Sequence, residues 1–566
     1  LRLRLRLAAL LGLAAATTVH AQPAGPGPQA MIAAANPQAV EAGLAILREG
    51  GDAMDAAVAV QATLGLVEPQ SSGLGGGAFL TWYDPKTGTV TAYDGRERAP
   101  AGASPDMFLR PDKTPMSYAE AVLSGRSAGV PGAVAMLFAA HKDHGKLPWS
   151  ALFAKTERLA NDGFIVGPRL AGMVVNARAP QTKAPDVIAY FRGPDGGPLE
   201  PGQRLKNPAY AATLHKIAAE GPDALLKGAV AQDIVARLRQ GPLPSTMTLA
   251  DLAAYRPAKA PALCAPYRVW TVCAPNPPSG GVATLEGLGI LQRTDIATRG
   301  PADPKAWFEL AQAERLMYAD DLRYNGDPAF VKVPAAGMLA PDYLDARAAL
   351  IGETAGPAPE PGHPTGAPRV GPDATREPGG TSSFVVVDRW GNVVAMTTTV
   401  ESVFGDGRMV DGFFLNNQLT DFSFDPKNRD GTPAANAVAG GKRPRSSMSP
   451  TIILDREGRF VAAIGSPGGL AIPGFVLKGI VGALDWKLSM QDAVALPNLV
   501  ALGDAFISEP EKFSPGVVEG LKARGITLRS GLGVEESGLH GVIVRDGVLT
   551  GGADPRREGV AVACCQ

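Results

Sequence analysis

The sequence predicts an α+β protein in which helices pack on β-sheets. Three features carry this reading. Two helical patterns follow one another between Asn36 and Leu66. The middle of the chain, from about Ala119 to Gly352, alternates helical patterns with loops. Beyond Thr381 the chain turns β-rich.

Taken in order, Asn36-Pro37 supplies an N-cap and a first-turn proline. Val40, Leu44 and Leu47 then share one face, and Gly50-Gly51 stops the helix. Asp52 caps the next helix, Ala53 to about Leu66, whose Ala and Val content predicts burial. "SGLGGGAFLTWYD" (Ser72 to Asp84) turns into a strand, with "TVTAYDGRERAP" (Thr89 to Pro100) as its hairpin partner. A phosphate loop needs a strand before it and a helix after it. Here a helix precedes a strand, so Gly73 to Gly77 reads as a tight turn or a close backbone approach. "AVAMLFAAHKDHG", "PAYAATLHKIAAEG" and "PKAWFELAQAERLMYADDLRY" make the middle a helix-rich layer. Thr354 to Gly380 is dense in Pro and Gly and reads as a mobile surface segment. After it, Ser382 to Val387, a turn at "DRWGN" and Val393 to Val400 form a hairpin. "SPTIILD", "RFVAAIG" and "GVIVRDGVLTGG" add strands, while Pro473 to Ala483 and Met490 to Leu496 look helical.

Composition narrows the class. The 566 residues carry 54 Lys+Arg against 55 Asp+Glu, which argues against nucleic-acid binding. The 68 glycines and 50 prolines fall short of the roughly 25–30% that marks low complexity. Arg2, Arg4 and Arg6, the apolar run Leu7 to Ala16, and Val19-His20-Ala21 read as an export signal over residues 1–21. That places the chain in the periplasm or outside the cell. No stretch reaches the roughly 18 apolar residues a membrane helix needs. In an oxidising compartment Cys264 and Cys273 are plausible disulfide partners, whereas the adjacent Cys564 and Cys565 are poor partners for each other. His141 and His144 read as solvated helix-end histidines rather than metal ligands, so no metal or cofactor is expected.

"GGTSSFVVVD" (Gly379 to Asp388) raises the chemical question. Gly379-Gly380 either ends a loop, or the Gly380-Thr381 bond is made to be broken. A threonine hydroxyl is a weak nucleophile that needs a base. No "GxSxG" elbow places a serine beside one of the few histidines, which are His141, His144, His215, His363 and His540 after residue 21. A terminal threonine brings its own base, an α-amine whose reference pKa is about 7.7–8.0. Gly380 tolerates the strained backbone that self-cleavage requires.

"GGTSSFVVVDRWGNVVAMTTTVESVFG", "FFLNNQLTDFS", "KRPRSSMSPTI" and "GSPGG" occur in this order. Together they resemble the small subunit of gamma-glutamyltransferases, N-terminal-nucleophile enzymes that cut themselves at a threonine. "ILREGGDAMDAAVAV", "GLGGGAFL" and "DGRERAPAGASPDMF" resemble the large subunit. The resemblance implies a four-layer αββα sandwich built from two self-cleaved subunits, residues 22–380 and 381–566. It implies catalysis by Thr381, with Thr399 hydrogen-bonding it and Gly468 and Gly469 as oxyanion hole. Arg96, Ser446 and Ser447 would take the substrate carboxylate, and Glu401, Gln418 and Asp421 its ammonium. The expected substrate is a glutathione-like γ-glutamyl amide, released to water or to an amino acid or peptide.

Three departures stand out. Glu401 sits where the family usually has asparagine, Thr420 replaces an acidic residue before Phe422, and the segment from Ser423 to Arg443 is short and lacks a tyrosine. Two rival readings are a glutaryl (cephalosporin-type) acylase and an uncleaved binding protein. A glutaryl group has no ammonium and so no need of Glu401, Gln418 and Asp421, and an intact Thr381 weighs against the binding protein.

Overall fold

The computed structural model describes residues 30–371, 373, 375, 377–427, 431–531 and 537–565. Residues 1–21, read above as an export signal, lie outside the described residues.

The chain folds as a mixed α/β structure around two large antiparallel sheets. One has seven strands in the order Val560–Cys564, Ala30–Ala34, Ser382–Val387, Val393–Thr399, Gly77–Asp84, Thr89–Asp94, Ala258–Pro261. The other has six, in the order Val548–Ala553, His540–Arg545, Phe460–Gly465, Thr451–Leu454, Trp270–Ala274, Leu263–Tyr267. The alternation of strand side chains decides what packs where. Val385, Val387, Val393 and Ala395 of the first sheet meet Ile452, Leu454, Ala463 and Val542 of the second in one apolar cluster. Phe384, Val386, Val394 and Met396 point the other way, onto the helices Pro37–Arg48 and Ala53–Val67. Ile453, Ala462, Ile464 and Ile543 do the same for the helices Gly281–Leu291, Pro304–Tyr324 and Ile472–Ile480.

The local signals act as read. Asn36 accepts from the Gln38 amide at 2.9 Å, with Pro37 opening the helix. Asp52 and Asp55 form a reciprocal capping box, and every residue of Ala53–Val67 is buried. The Gly-rich run makes close approaches: a Cβ on Gly76 would lie 1.9 Å from the Thr399 carbonyl oxygen. Cys264 and Cys273 are disulfide-bonded across adjacent strands.

Three expectations need correction, and two strands go unread in the sequence. Ala30–Ala34 and Val560–Cys564 are strands that residue patterning does not reveal. The alanine-rich "AMIAA" becomes a strand because partners on both sides, residues 560–564 and 384–387, take up its backbone groups. Cys564 and Cys565 are bonded to each other, the chain turning at Cys565 with φ +63°. His141 and His144 end a helix, but His141 is buried and His144 half-buried. His141 Nε2 lies 3.2 Å from Asp55 and 3.0 Å from the Leu147 carbonyl, and His144 stacks on Trp82 with ring centroids 4.3 Å apart. Among its described residues Thr354 to Gly380 carries no helix or strand and lies largely at the surface, as read, but several of its backbone groups bond the body of the protein. Ala355 N–H donates to Arg524 O at 2.8 Å, Gly362 N–H to Asp320 Oδ1 at 2.6 Å and Asp373 N–H to Leu322 O at 2.8 Å. Its prolines bar regular structure, so its backbone groups pair with the helix Pro304–Tyr324 and its surroundings instead.

Among the described residues no helix is long and apolar enough to cross a membrane.

Candidate active site

Thr381 stands immediately before the strand Ser382–Val387, third of the seven, and is 4% exposed. Its φ is +75°, a region that penalises a β-branched residue by about 1–3 kcal/mol. Three contacts hold it there. Its N–H donates to Ser71 O at 3.0 Å, its carbonyl accepts from Arg557 Nη1 at 3.0 Å, and its hydroxyl donates to Thr399 Oγ1 at 3.0 Å. Strand register explains the last contact. Thr398 pairs with Ser382, which brings Thr399 opposite Thr381. Thr399 Oγ1 also accepts from the Glu401 amide at 2.7 Å. Gly380 is required by space, since a Cβ there would lie 1.8 Å from Glu401 O.

Around Thr381 the structure gathers Arg96, Thr399, Glu401, Gln418, Asp421, Ser446, Ser447 and Gly469 in one pocket. Arg96, after the strand Thr89–Asp94, is 1% exposed. Its Nη2 donates to Asp421 Oδ2 at 2.7 Å and to Arg445 O, and its Nε to Pro444 O at 3.2 Å. Gln418 and Asp421 share one short 3₁₀ turn, and Gln418 Nε2 donates to Asp421 Oδ2 at 2.6 Å. This leaves Gln418 Oε1 and Asp421 Oδ1 buried without a hydrogen-bond partner. Burial raises the pKa of Glu401 well above the usual carboxylate range, and the facing Asp421 raises it further. Burial likewise raises Asp421, against the pull of Arg96. Two facing buried carboxyls need a proton or a cation between them.

Gly468 and Gly469 have φ +133° and +56°. A Cβ on Gly469 would lie 2.3 Å from Glu377 O, so only glycine fits against the Glu377-Pro378 backbone there. Gly468 lines an adjoining cavity of about 780 Å³, walled by Met173, Val403, Leu470, Leu502 and Ile507 with Tyr118 at its edge. The pocket on Thr381 has only about 20 Å³ free, and Glu377 and Pro378 form part of its wall.

Several residues of the site escape sequence reasoning. Asn417 Nδ2 donates to Glu401 Oε2 at 2.5 Å and to Thr420 Oγ1 at 3.0 Å, and its Oδ1 accepts from Ser402 N at 3.1 Å. Thr420 therefore serves as an uncharged partner of Asn417. Asn416 bridges Gly75 and Gly129. Tyr118, from the helix Tyr118–Val122, donates to Glu401 Oε2 at 3.3 Å. Arg445 is fully buried, with Nε 3.1 Å from Glu377. The Asn-Asn pair in "FFLNNQLTDF" was the available signal, as polar residues amid an apolar run demand buried partners. Nothing local marks Tyr118 or Glu377.

The chain matches the gamma-glutamyltranspeptidase family over residues 39–564. It is 37% identical over 489 residues to the glutathione hydrolase proenzyme of Bacillus subtilis (strain 168), covering 84% of this chain and 81% of that protein. It is 35% identical over 543 residues to the glutathione hydrolase proenzyme of Escherichia coli (strain K12), covering 93% and 90%. Among solved structures, cephalosporin acylase from Bacillus halodurans superposes with a TM-score of 0.82 at 25% identity, covering 98% and 99%. The match along nearly the whole chain, on a fold that sets a strained threonine among buried acceptors and close-packed glycines, makes this protein a member of the gamma-glutamyltranspeptidase family.

Proposed function

We propose that the chain is an exported precursor that cuts itself at Gly380-Thr381 and then acts as a γ-glutamyltransferase or glutathione hydrolase. Self-cleavage begins when the Thr381 hydroxyl adds to the Gly380 carbonyl carbon. The C–N bond breaks as the nitrogen takes the proton, leaving an ester. Water hydrolyses the ester to a Gly380 carboxylate and a free Thr381 hydroxyl and amine. Thr399 Oγ1 accepts from the hydroxyl and aims it. Residues 22–380 and 381–566 would form the two subunits. What supports their staying together is that both sheets contain strands from both sides of the bond, with Ala30–Ala34 lying between Val560–Cys564 and Ser382–Val387. The two facing sheets with helices on their outer sides support a four-layer αββα sandwich.

In turnover the Thr381 amine, held at the Ser71 carbonyl, takes the hydroxyl proton as oxygen attacks the γ-carbonyl. Backbone N–H groups at Gly468 and Gly469 would face the tetrahedral oxygen, each worth about 2.7–4 kcal/mol. Arg96, Ser446 and Ser447 would bind the α-carboxylate, and Glu401, Gln418 and Asp421 the α-ammonium. The leaving amine, and later water or an acceptor amine, would use the cavity of about 780 Å³. The reading calls for no metal or cofactor.

One observation carries the choice of substrate. The site holds two facing carboxyls and two buried unpartnered acceptors, Gln418 Oε1 and Asp421 Oδ1, beside the nucleophile. An ammonium satisfies all of them, whereas a glutaryl group satisfies none. The test is mass analysis of purified wild type and Thr381→Ala, with γ-glutamyl and glutaryl anilides as substrates. Two fragments, the second starting at Thr381, with γ-glutamyl turnover lost in the variant, are expected. Glutaryl turnover alone would establish the acylase, and an intact inactive wild type the binding protein.

A further inference from the structure

We propose that Glu377 is the pocket's internal ligand: its carboxylate occupies Arg445 Nε and the Ser447 donors, the latter among those that later take the substrate carboxylate, and so seats the Gly380-Thr381 bond for self-cleavage. This rests on the γ-glutamyl reading for the later role of those donors. The contacts themselves belong to the unbroken chain.

Glu377 Oε2 accepts from Ser447 Oγ at 2.5 Å and from the Ser447 amide at 3.1 Å. Its Oε1 accepts from Arg445 Nε at 3.1 Å, and the two side chains are 5% and 0% exposed. Arg445 is held in turn by Asp373 at 3.3 Å, and its amide donates to Asn436 Oδ1 at 2.8 Å, so the cation is fixed before any ligand arrives. The Glu377 carbonyl accepts from Leu470 N–H at 3.2 Å, next to the glycine pair. Glu377 is thus pinned on one side by its carboxylate and on the other by its backbone. Only Pro378 and Gly379 separate it from Gly380, and proline removes one of the few free torsions between anchor and bond. With Thr381 fixed by Ser71, Arg557 and Thr399, both ends of the scissile peptide are restrained, which is what an intramolecular attack needs.

The same contact explains how the pocket is emptied. Hydrolysis of the ester creates a new carboxylate at Gly380 in a site that already holds Glu377, Glu401 and Asp421. Tension toward Thr381 is lost while like-charge repulsion is gained, so the tail leaves and its donors become free. Glu377 is a positioning residue for maturation and takes no part in turnover.

The test uses full-length precursor pulse-labelled in cell-free translation, with cleavage followed by mass analysis. Glu377→Ala should slow cleavage at least about tenfold, the scale of a buried charge-assisted contact. Glu377→Gln, which keeps the shape and loses the charge, should fall between. Ser447→Ala should also slow cleavage, and the double variant should be no slower than the slower single one, because both remove the same contact. Once matured, Glu377→Ala should show a KM for γ-glutamyl anilide no higher than wild type, while Ser447→Ala should raise it. Wild-type cleavage rates in both Glu377 variants, additive slowing in the double variant, or a raised KM in matured Glu377→Ala would each overturn the proposal. The cleavage measurements need no substrate. A chain that depends on Glu377 for cleavage yet ignores γ-glutamyl amides would sink the substrate reading and leave this one standing.

Discussion

Replacing Thr399 with valine removes one oxygen and almost no volume, and the structure says what that oxygen does. It accepts from the Thr381 hydroxyl at 3.0 Å and from the buried Glu401 amide at 2.7 Å. Thr399 is 2% exposed, so no solvent route replaces either bond. The orphaned amide should cost about 1–3 kcal/mol of stability. The lost aim of the nucleophile is a separate term. A hydrogen bond to a group that gains charge during attack is worth about 1.5–3 kcal/mol, or about 10–150-fold in rate at about 1.4 kcal/mol per factor of ten. Thr399→Val should therefore slow both self-cleavage and γ-glutamyl turnover by that factor. Thr399→Ser, which returns the hydroxyl, should recover most of both. A gel time course measures the first rate, release of the anilide the second, and thermal unfolding the stability. If Thr399→Val keeps both rates within about twofold of wild type, the nucleophile is aimed by something else.

Glu401→Gln tests the facing carboxyls. Burial and the facing Asp421 raise the pKa of Glu401, which favours a proton on the pair, and a binding ammonium would compete with that proton. KM for a γ-glutamyl amide should fall as pH rises above the ordinary carboxylate range, and this dependence should weaken in the variant. Stability runs the opposite way. The folded state binds the proton more tightly than the unfolded one, so stability declines as pH rises from the unfolded pKa to the raised folded value. The variant should lose that decline in a pH series of melting curves. Asn416→Ala strips four hydrogen bonds from a residue 1% exposed: Nδ2 to Gly75 O and Gly129 O, and the amides of Gly129 and Gln418 to Oδ1. A loss of about 3–5 kcal/mol and impaired γ-glutamyl turnover are expected. A wild-type melting curve would show that other groups satisfy those backbone atoms.

Much of this protein was legible residue by residue. Asn36-Pro37 and Asp52 begin helices through contacts within three residues of themselves, so their effect can be read locally. The alternation in "SSFVVV" sends Val385 and Val387 to one face and Phe384 and Val386 to the other whatever their neighbours are. The chemistry of a threonine that becomes a terminus is also a local property, because amine and hydroxyl belong to one residue. That much the chain determines by itself.

What the tertiary structure decides is which distant groups meet. Ala30–Ala34 becomes a strand only because residues 384–387 and 560–564 flank it. His141 reads as a solvated helix-end histidine until Asp55 is packed against it. Tyr118 reaches Glu401 across 283 positions of sequence, and Glu377 finds Ser447 across 70. No periodicity or cap encodes such pairs. They follow from the need to give every buried polar group a partner once the sheets have closed over it, and that need exists only in the folded molecule.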